Sequence, residues 1–148
     1  MGPRAGRSHA PAGSPDLTDA AGDGPVDVAG GGARLVVGRC ADCGALTFPL
    51  RDRCPCGGST ERILLPERGT LWTWTTQGFE PKPPFVREGS GEFEPYAVGY
   101  VEFDGYLRVE GRLTEAEPER LQIGMPMQVV AVERSGRLSY AFAPVPVE

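Results

Sequence analysis

All four cysteines of this 148-residue chain fall within 17 residues, and no other feature restricts its fold as strongly. They form two pairs, Cys40-Ala-Asp-Cys43 and Cys54-Pro-Cys56, separated by ten residues. A tetrahedral Zn²⁺ ion takes four thiolates at about 2.3 Å, so two tight turns must face each other to supply them. A glycine follows each pair and suits such a turn, because glycine readily adopts positive φ angles. The pattern predicts a short ribbon with one structural zinc ion per chain.

Other uses of four clustered cysteines fit this sequence less well than a structural zinc site. Two disulfides need an oxidising compartment, and we see no export signal in the sequence. A redox Cys-x-x-Cys needs a thioredoxin-like βαβ context, which the pattern lacks. A catalytic zinc keeps a coordination position open, whereas four cysteines close the site. The second pair departs from the commonest ribbon spacing, because only Pro55 separates its cysteines.

The first 33 residues differ in composition from the rest of the chain. They hold 8 Gly, 4 Pro and 7 Ala and no Phe, Tyr or Trp, so they cannot bury enough apolar surface to offset the entropy of ordering. We expect residues 1–33 to be a disordered tail. His9, the single histidine, lies in it. The remaining sequence therefore offers no Ser-His-Asp triad and no Cys-His dyad.

Charge and hydropathy make two classes of protein less favoured, nucleic-acid-binding proteins and membrane proteins. Fifteen basic against 20 acidic side chains give a net charge of −5, and Lys82 is the only lysine. Nucleic-acid affinity comes largely from basic groups that neutralise phosphates, so this balance disfavours a nucleic-acid partner. No stretch reaches the roughly 18 apolar residues of a membrane helix. We expect a soluble, cytoplasmic protein without a membrane partner.

From Gly69 onward the sequence is rich in the aromatic and β-branched residues that strands prefer. Asp104-Gly105 stands between two such runs and predicts a type I′ hairpin. Thr114 and Glu117 form a capping-box pattern, so a helix of one or two turns is expected over 114–121. After a short strand over 34–38, the predicted barrel strands cover 71–76, 96–103, 106–113, 127–133 and 138–142.

Five short strands, with a helical insertion between the third and fourth, follow the order of a Greek-key OB-fold barrel. Other five-stranded barrels share this order. The predicted fold is mainly β, with a rubredoxin-like zinc ribbon over 34–66 followed by a five-stranded OB-fold domain over 67–148.

A long Pro-rich and Gly-rich loop, Gln77–Pro95, separates the first two barrel strands. Loops of this length inside a compact domain are usually functional or disordered. Aromatic residues are enriched in buried interface cores, although alternate strand residues also point into a barrel core. Arg108 and Arg112 are further cations that could meet phosphates. The candidates for contact with a partner or a CoA ester are Trp72, Trp74, Phe79, Phe85, Phe93 and Arg87.

Taken together, the motifs resemble those of the zinc-ribbon/OB-fold proteins associated with acyl-CoA metabolism. The resemblance covers about residues 34–146. It lies in the two cysteine turns with Phe48-Pro49-Leu50-Arg51 between them, and in four later segments. These are Gly69-Thr70-Leu71-Trp72, Pro95-Tyr96-Ala97-Val98-Gly99-Tyr100-Val101, Ile123-Gly124-Met125-Pro126-Met127 and Tyr140-Ala141-Phe142-Ala143-Pro144.

The resemblance implies a non-catalytic accessory subunit in lipid metabolism. Members of this family are partners of thiolase-like or lipid-transfer-protein-like enzymes, among them thiolases, aldolases and acyltransferases that process acyl-CoA. The partner would carry the nucleophilic cysteine and the base, and the small subunit would supply an interface and help to hold the CoA ester. Many members carry a helical N-terminal extension, which this sequence replaces with residues 1–33.

Two further functions remain as alternatives. OB-folds and zinc ribbons both occur in single-stranded nucleic-acid-binding proteins, which combine stacking aromatics with a positively charged groove. Here the aromatics are present and the positive charge is not. The third possibility is a free-standing enzyme. Against it, the sequence after residue 33 lacks the histidine and the free thiol that acyl transfer commonly uses.

Overall fold

The computed structural model of the protein describes residues 24–87, 91–103 and 107–146. These residues form nine strands and one short 3-10 turn, which confirms the predicted mainly β class. The strands are β1 Val26–Asp27, β2 Arg34–Cys40, β3 Leu46–Thr47, β4 Thr60–Leu64, β5 Arg68–Gln77, β6 Tyr96–Phe103, β7 Leu107–Leu113, β8 Pro126–Arg134 and β9 Arg137–Pro144, and the 3-10 turn is Pro118–Arg120.

Strand β2 is the centre of the ribbon sheet. It pairs antiparallel with β1, β3 and β4, and its longest ladder, with β4, runs from Val36 opposite Leu64 to Cys40 opposite Thr60. Consecutive residues from Leu35 to Val37 are buried, so this strand is covered on both faces. It ends at Cys40, which places the first metal-ligand candidate at the end of a rigid element.

Strand β1 lies inside the segment that was expected to be a disordered tail, so the expectation is wrong for Val26 and Asp27. Val26 is buried opposite Leu35, and the Asp27 carboxylate accepts a hydrogen bond of 2.7 Å from Arg62. The Asp27 side chain also accepts a hydrogen bond from the backbone N–H of Ala29. These contacts hold a segment whose composition alone does not predict order. Residues 1–23, including His9, lie outside the described residues.

The barrel closes in the order β5-β6-β7-β9-β8, which confirms the predicted five-stranded architecture. Along β6 the buried residues alternate with more exposed ones, as expected for a strand with one face toward a core. Gly99 is one of the buried residues of β6. A larger residue does not fit there, because a Cβ atom would lie 2.8 Å from the Thr73 carbonyl oxygen. The core includes Leu71, Ala97, Val101, Phe103, Val109, Leu113, Met127 and Phe142.

Two local expectations have different outcomes. The helix predicted over 114–121 is only the 3-10 turn Pro118–Arg120. In a helix capped by Thr114, Pro118 would be the fourth residue, and it has no N–H group to donate to the Thr114 carbonyl. The Glu117 N–H is bonded by the Glu115 carboxylate rather than by Thr114. The Asp104-Gly105 turn lies outside the described residues, although β6 and β7 pair antiparallel up to Phe103 opposite Leu107.

The chain divides into two compact units. The first extends to Glu67 and includes Val130–Tyr140, and the second holds Arg68–Val129 and the residues from Ala141 onward. Val130–Tyr140 falls in the first unit, although it holds parts of β8 and β9, which belong to the closed barrel. The predicted domain boundaries stay a prediction. Within the described ranges, no helix has the length and apolar character needed to cross a bilayer.

Candidate functional site

The four cysteine sulfurs meet at one point in the first unit. Cys40 Sγ and Cys56 Sγ are 3.6 Å apart, Cys43 Sγ and Cys54 Sγ are 3.7 Å apart, and all four lie within 4.8 Å of one another. Four thiolates at about 2.3 Å from a tetrahedral ion would be separated by roughly 3.8 Å. A disulfide needs about 2.05 Å, so the thiols are free. The donor set and its spacing fit a single tetrahedral metal ion.

The first cysteine turn directs backbone donors at a ligand sulfur. The N–H groups of Asp42 and Cys43 lie 3.3 Å and 3.4 Å from Cys40 Sγ. The chain then leaves the turn through Gly44, which has φ +78° and donates to the Cys40 carbonyl at 3.0 Å. This is the turn that the Cys-x-x-Cys-Gly spacing predicts.

The second turn compensates for its shorter spacing with two glycines. Gly57 adopts φ +99° and donates to the Cys54 carbonyl at 2.8 Å, while the Cys54 N–H donates to the Gly58 carbonyl at 2.8 Å. Gly58 also lies against the first turn, since a Cβ there would be 2.8 Å from Cys40 Sγ. The Cys-Pro-Cys spacing therefore still brings both sulfurs to the common point.

The thiols affect one another's protonation. The Cys43 N–H, followed by the Asp42 N–H, lowers the pKa of Cys40 to about 7. The Gly58 N–H lowers the pKa of Cys56, but the neighbouring thiols outweigh it and raise that pKa to about 12. Four adjacent thiols cannot all ionise unless a cation neutralises them. A soft divalent metal supplies that charge.

The two tryptophans lie on different faces of the barrel, which alternation alone does not predict. In the pairing of β5 with β6, Leu71 is opposite Val101 but Thr73 is opposite Tyr100, so Trp72 is an extra residue in a β-bulge. Trp72 is 43% exposed and forms an edge contact with Tyr100, whereas Trp74 is opposite the buried Gly99 and is half-buried.

Two arginines of β7 stack on aromatic rings of the outer barrel face. The Arg108 guanidinium lies 3.9 Å from the Trp72 ring centroid and also pairs with Glu102 at 3.1 Å. The Arg112 guanidinium lies 3.6 Å from the Tyr96 ring centroid. Such cation–π stacks hold both partners in place. These two arginines are thus structural partners of the aromatics and not scattered surface charges.

The loop candidates separate into packed and exposed residues. Phe85 and Phe93 are half-buried and pack on Tyr96 with ring centroids 6.2 Å and 6.0 Å away, beside a cavity of about 310 Å³. Phe79 is 73% exposed. The Arg87 side chain pairs with Glu80 at 2.9 Å, an ion pair that no sequence signal indicates. The contact role predicted for these residues stays a prediction.

The comparisons with known proteins extend over both units. Residues 32–61 match the family model for the ChsH2 rubredoxin-like zinc ribbon domain, and residues 63–132 match that for the ChsH2 C-terminal OB-fold domain. A DUF35 domain-containing scaffold protein of Methanocaldococcus jannaschii is 32% identical over 124 residues, which are 77% of this chain and 82% of that protein. The chain belongs to the DUF35 family, in its ChsH2-like form. The family resemblance drawn from the sequence motifs is thereby confirmed.

Two further matches carry the names of enzymes. A solved structure described as an Ltp2-ChsH2(DUF35) aldolase superposes with a TM-score of 0.59 at 28% identity, covering 75% of this chain and 84% of that one. A protein of Thermomonospora curvata named "Probable enoyl-CoA hydratase alpha subunit" is 31% identical over 108 residues. The match covers 72% of this DUF35 chain and 32% of that longer protein.

Proposed function

We propose that this chain is a non-catalytic accessory subunit of a thiolase-like, lipid-transfer-protein-type enzyme that acts on acyl-CoA esters. The observation that carries the proposal is the meeting of all four cysteines in one cluster, in a chain whose only histidine is His9. Acyl transfer of the thiolase type needs a nucleophilic thiol and a base. A chain that commits its thiols to a metal leaves both groups to its partner.

The names of its relatives support the same assignment. The Methanocaldococcus jannaschii protein is named a scaffold, and the aldolase structure combines a ChsH2(DUF35) chain with a second protein. The name of the Thermomonospora curvata protein refers to a CoA ester. We propose that the partner's chemistry, whether thiolysis, aldol cleavage or acyl transfer, determines the reaction, and that this chain helps to assemble the complex.

We further propose that the metal is zinc, one ion per chain, held by Cys40, Cys43, Cys54 and Cys56. Bound there, the ion would supply folding free energy to the ribbon and no reaction chemistry, because four thiolates leave no open position. The free state of the thiols supports a reducing compartment such as the cytoplasm.

For contact with the partner or the CoA ester, the exposure of Trp72 and Phe79 supports a direct role. Phe85, Phe93 and Arg87 are engaged within the loop, so we propose that they shape the contact surface instead. Trp74 is half-buried and is proposed to support the barrel beneath Trp72.

Co-expression with the thiolase-like protein encoded by a neighbouring gene tests the function. We expect the two chains to purify together and to cleave or transfer an acyl-CoA ester, whereas this chain alone shows no turnover. Turnover by this chain alone would overturn the proposal, as would a partner that is fully active and never associates with it. The nucleic-acid alternative is tested by the fluorescence anisotropy of a labelled oligonucleotide at low salt. Micromolar binding that weakens with salt would favour that alternative.

A further inference from the structure

The loop after β5 is braced by its own side chains. Glu80 and Arg87 are joined across seven residues, with the Arg87 Nη2 and Nε groups 2.9 Å and 3.3 Å from the two carboxylate oxygens. Arg87 also donates to the Gly91 carbonyl, and the Gln77 side chain donates to the Phe79 carbonyl at 2.7 Å. A bidentate arginine–carboxylate pair fixes geometry as well as charge. These contacts restrict a segment whose described residues, 78–87 and 91–95, form no helix or strand.

The base of the loop is attached to the barrel wall by aromatic packing. Phe85 and Phe93 lie 6.3 Å apart between ring centroids, and both pack on Tyr96 at the start of β6. On the neighbouring strand, Arg112 stacks on the same tyrosine. The loop therefore contacts the barrel through Phe85, near its middle, and Phe93, near its end.

Two large apolar side chains project from this braced loop. Phe79 is 73% exposed and Val86 is 76% exposed, the highest values among the large hydrophobic residues of the described chain. Each directly precedes one member of the Glu80–Arg87 pair, so the pair holds both apolar residues in the same part of the loop. We call Phe79, Glu80, Val86 and Arg87 the loop tip.

We propose that the loop tip is an anchor that inserts into an apolar cleft of the partner enzyme subunit. This inference rests on the proposed function and names the contact through which it acts. The ion pair cancels the charge of the tip, so an uncharged apolar cleft complements it better than a phosphate backbone does. Because the tip is braced before binding, little conformational entropy remains to be lost when the partner binds.

A third exposed apolar residue provides the matched control. Ile123, in the same unit, is 64% exposed, but it lies in a turn between two uncharged residues, Gln122 and Gly124. Single exposed apolar residues are normal on soluble proteins. The proposal therefore requires that Phe79 and Val86 differ from Ile123 in their effect on association.

The test measures the affinity of the zinc-loaded full chain for the thiolase-like protein encoded by a neighbouring gene. We expect Phe79→Ser and Val86→Ser each to weaken binding by about tenfold or more, as truncated interface anchors do. Ile123→Ser should leave the affinity within about twofold of wild type, since an exposed side chain outside the interface contributes little. The thermal unfolding of all three variants should match that of the wild type, because these side chains are exposed.

Exchanging the charges of Glu80 and Arg87 tests the role of their ion pair separately from that of the two apolar side chains. Glu80→Arg alone and Arg87→Glu alone place like charges together, and we expect each to weaken binding. The double variant restores an ion pair with the charges reversed, so binding should return toward the wild-type value. A double variant no better than either single variant would contradict the role of the brace.

The outcomes separate this inference from the function on which it rests. Wild-type chain that does not bind the partner contradicts the proposed function. Wild-type binding that survives Phe79→Ser and Val86→Ser overturns the anchor and leaves the function standing. An equal loss in Ile123→Ser also overturns the anchor, because the effect would not be specific to the tip. Self-association that is lost in Phe79→Ser, measured by light scattering, would assign the tip to a second copy of this chain and overturn the proposal.

Discussion

The ribbon and the barrel of this chain are stabilised in different ways. In the ribbon, β1 and β3 have two residues each, and β4 is largely exposed along its length. In the barrel, long strands close on themselves around an alternating apolar core that includes Phe103 and Phe142. Small lobes rarely bury enough apolar surface to fold without a staple. We therefore expect the ribbon to depend on the zinc ion proposed for its four cysteines and the barrel to depend on its packing.

The largest expected effect is therefore removal of the metal. Chelation, or Cys43→Ser, should unfold the ribbon, because structural zinc in such peptides is worth about 10 kcal/mol or more of folding free energy. Hydrogen exchange of the β2 and β4 amides should rise to the rate of an unfolded chain. Elemental analysis should find about one Zn per chain before chelation.

Tryptophan fluorescence sharpens this test, because Trp72 and Trp74 both belong to the barrel unit. Their emission should change little when the metal is removed. If the ribbon amides of metal-free protein still exchange slowly, the ribbon is folded without zinc, which would contradict the proposed dependence. A simultaneous loss of the tryptophan signal would show that the barrel, too, relies on the metal.

Truncation in the barrel core is the converse experiment. Phe142 has 0% exposure and packs on Phe103 with ring centroids 6.2 Å apart. Phe142→Ala should lower the free energy of unfolding by about 3–5 kcal/mol through lost burial and the cavity left behind. Urea unfolding followed by tryptophan fluorescence measures this loss. The zinc content of the folded variant should stay at the wild-type value, and zinc loss would contradict the separation of the two regions.

A smaller effect is expected at the ion pair that attaches β1 to the ribbon. Asp27 is nearly buried, and Arg62 donates to it at 2.7 Å. Asp27→Asn should cost about 1–2 kcal/mol, because the uncharged amide oxygen accepts a weaker hydrogen bond from Arg62, which stays partly solvated. The matched control is Glu67→Gln, which removes the exposed pair with Arg34 at 3.7 Å and should cost under about 0.5 kcal/mol. Equal costs in the two variants would contradict a special role for Asp27.

The pH dependence of the Asp27 effect has a defined sign. The hydrogen bond from Arg62 lowers the pKa of Asp27 below its usual value near 3.8, so the ionised carboxylate stabilises the folded state. This contribution is complete above the usual value and is lost as the pH falls through the lowered one. In urea unfolding with excess zinc, the gap between wild type and Asp27→Asn should therefore be constant near neutral pH and close in acid.

The metal cluster and the strand order could be predicted because both are local in the sequence. The cysteine spacings specify two turns without reference to the rest of the chain, and β6 shows its buried face through simple alternation. Strand β1 could not be predicted in this way. A two-residue strand has no periodicity, and the partner of Asp27, Arg62, lies 35 residues away.

The packing of the candidate contact residues was harder to predict for the same reason. Nothing in a proline-rich loop indicates that Glu80 pairs with Arg87 or that Phe85 and Phe93 pack together while Phe79 projects. These outcomes depend on how the loop folds on the barrel wall. The contact role of these aromatic residues stays a prediction, and their division into packed and exposed side chains required the structure.

The extra residue in β5 determines which tryptophan the outer surface presents. In a regular strand, Trp72 and Trp74 would point to the same side, since strand side chains alternate with a period of two. Because Trp72 is itself the extra residue, deleting it would leave Thr73 opposite Tyr100 and Trp74 opposite Gly99. The bulge thus adds one exposed indole to the surface without changing the orientation of the residues that follow. A relative that lacks the bulge would keep the same inward residues and lose that indole.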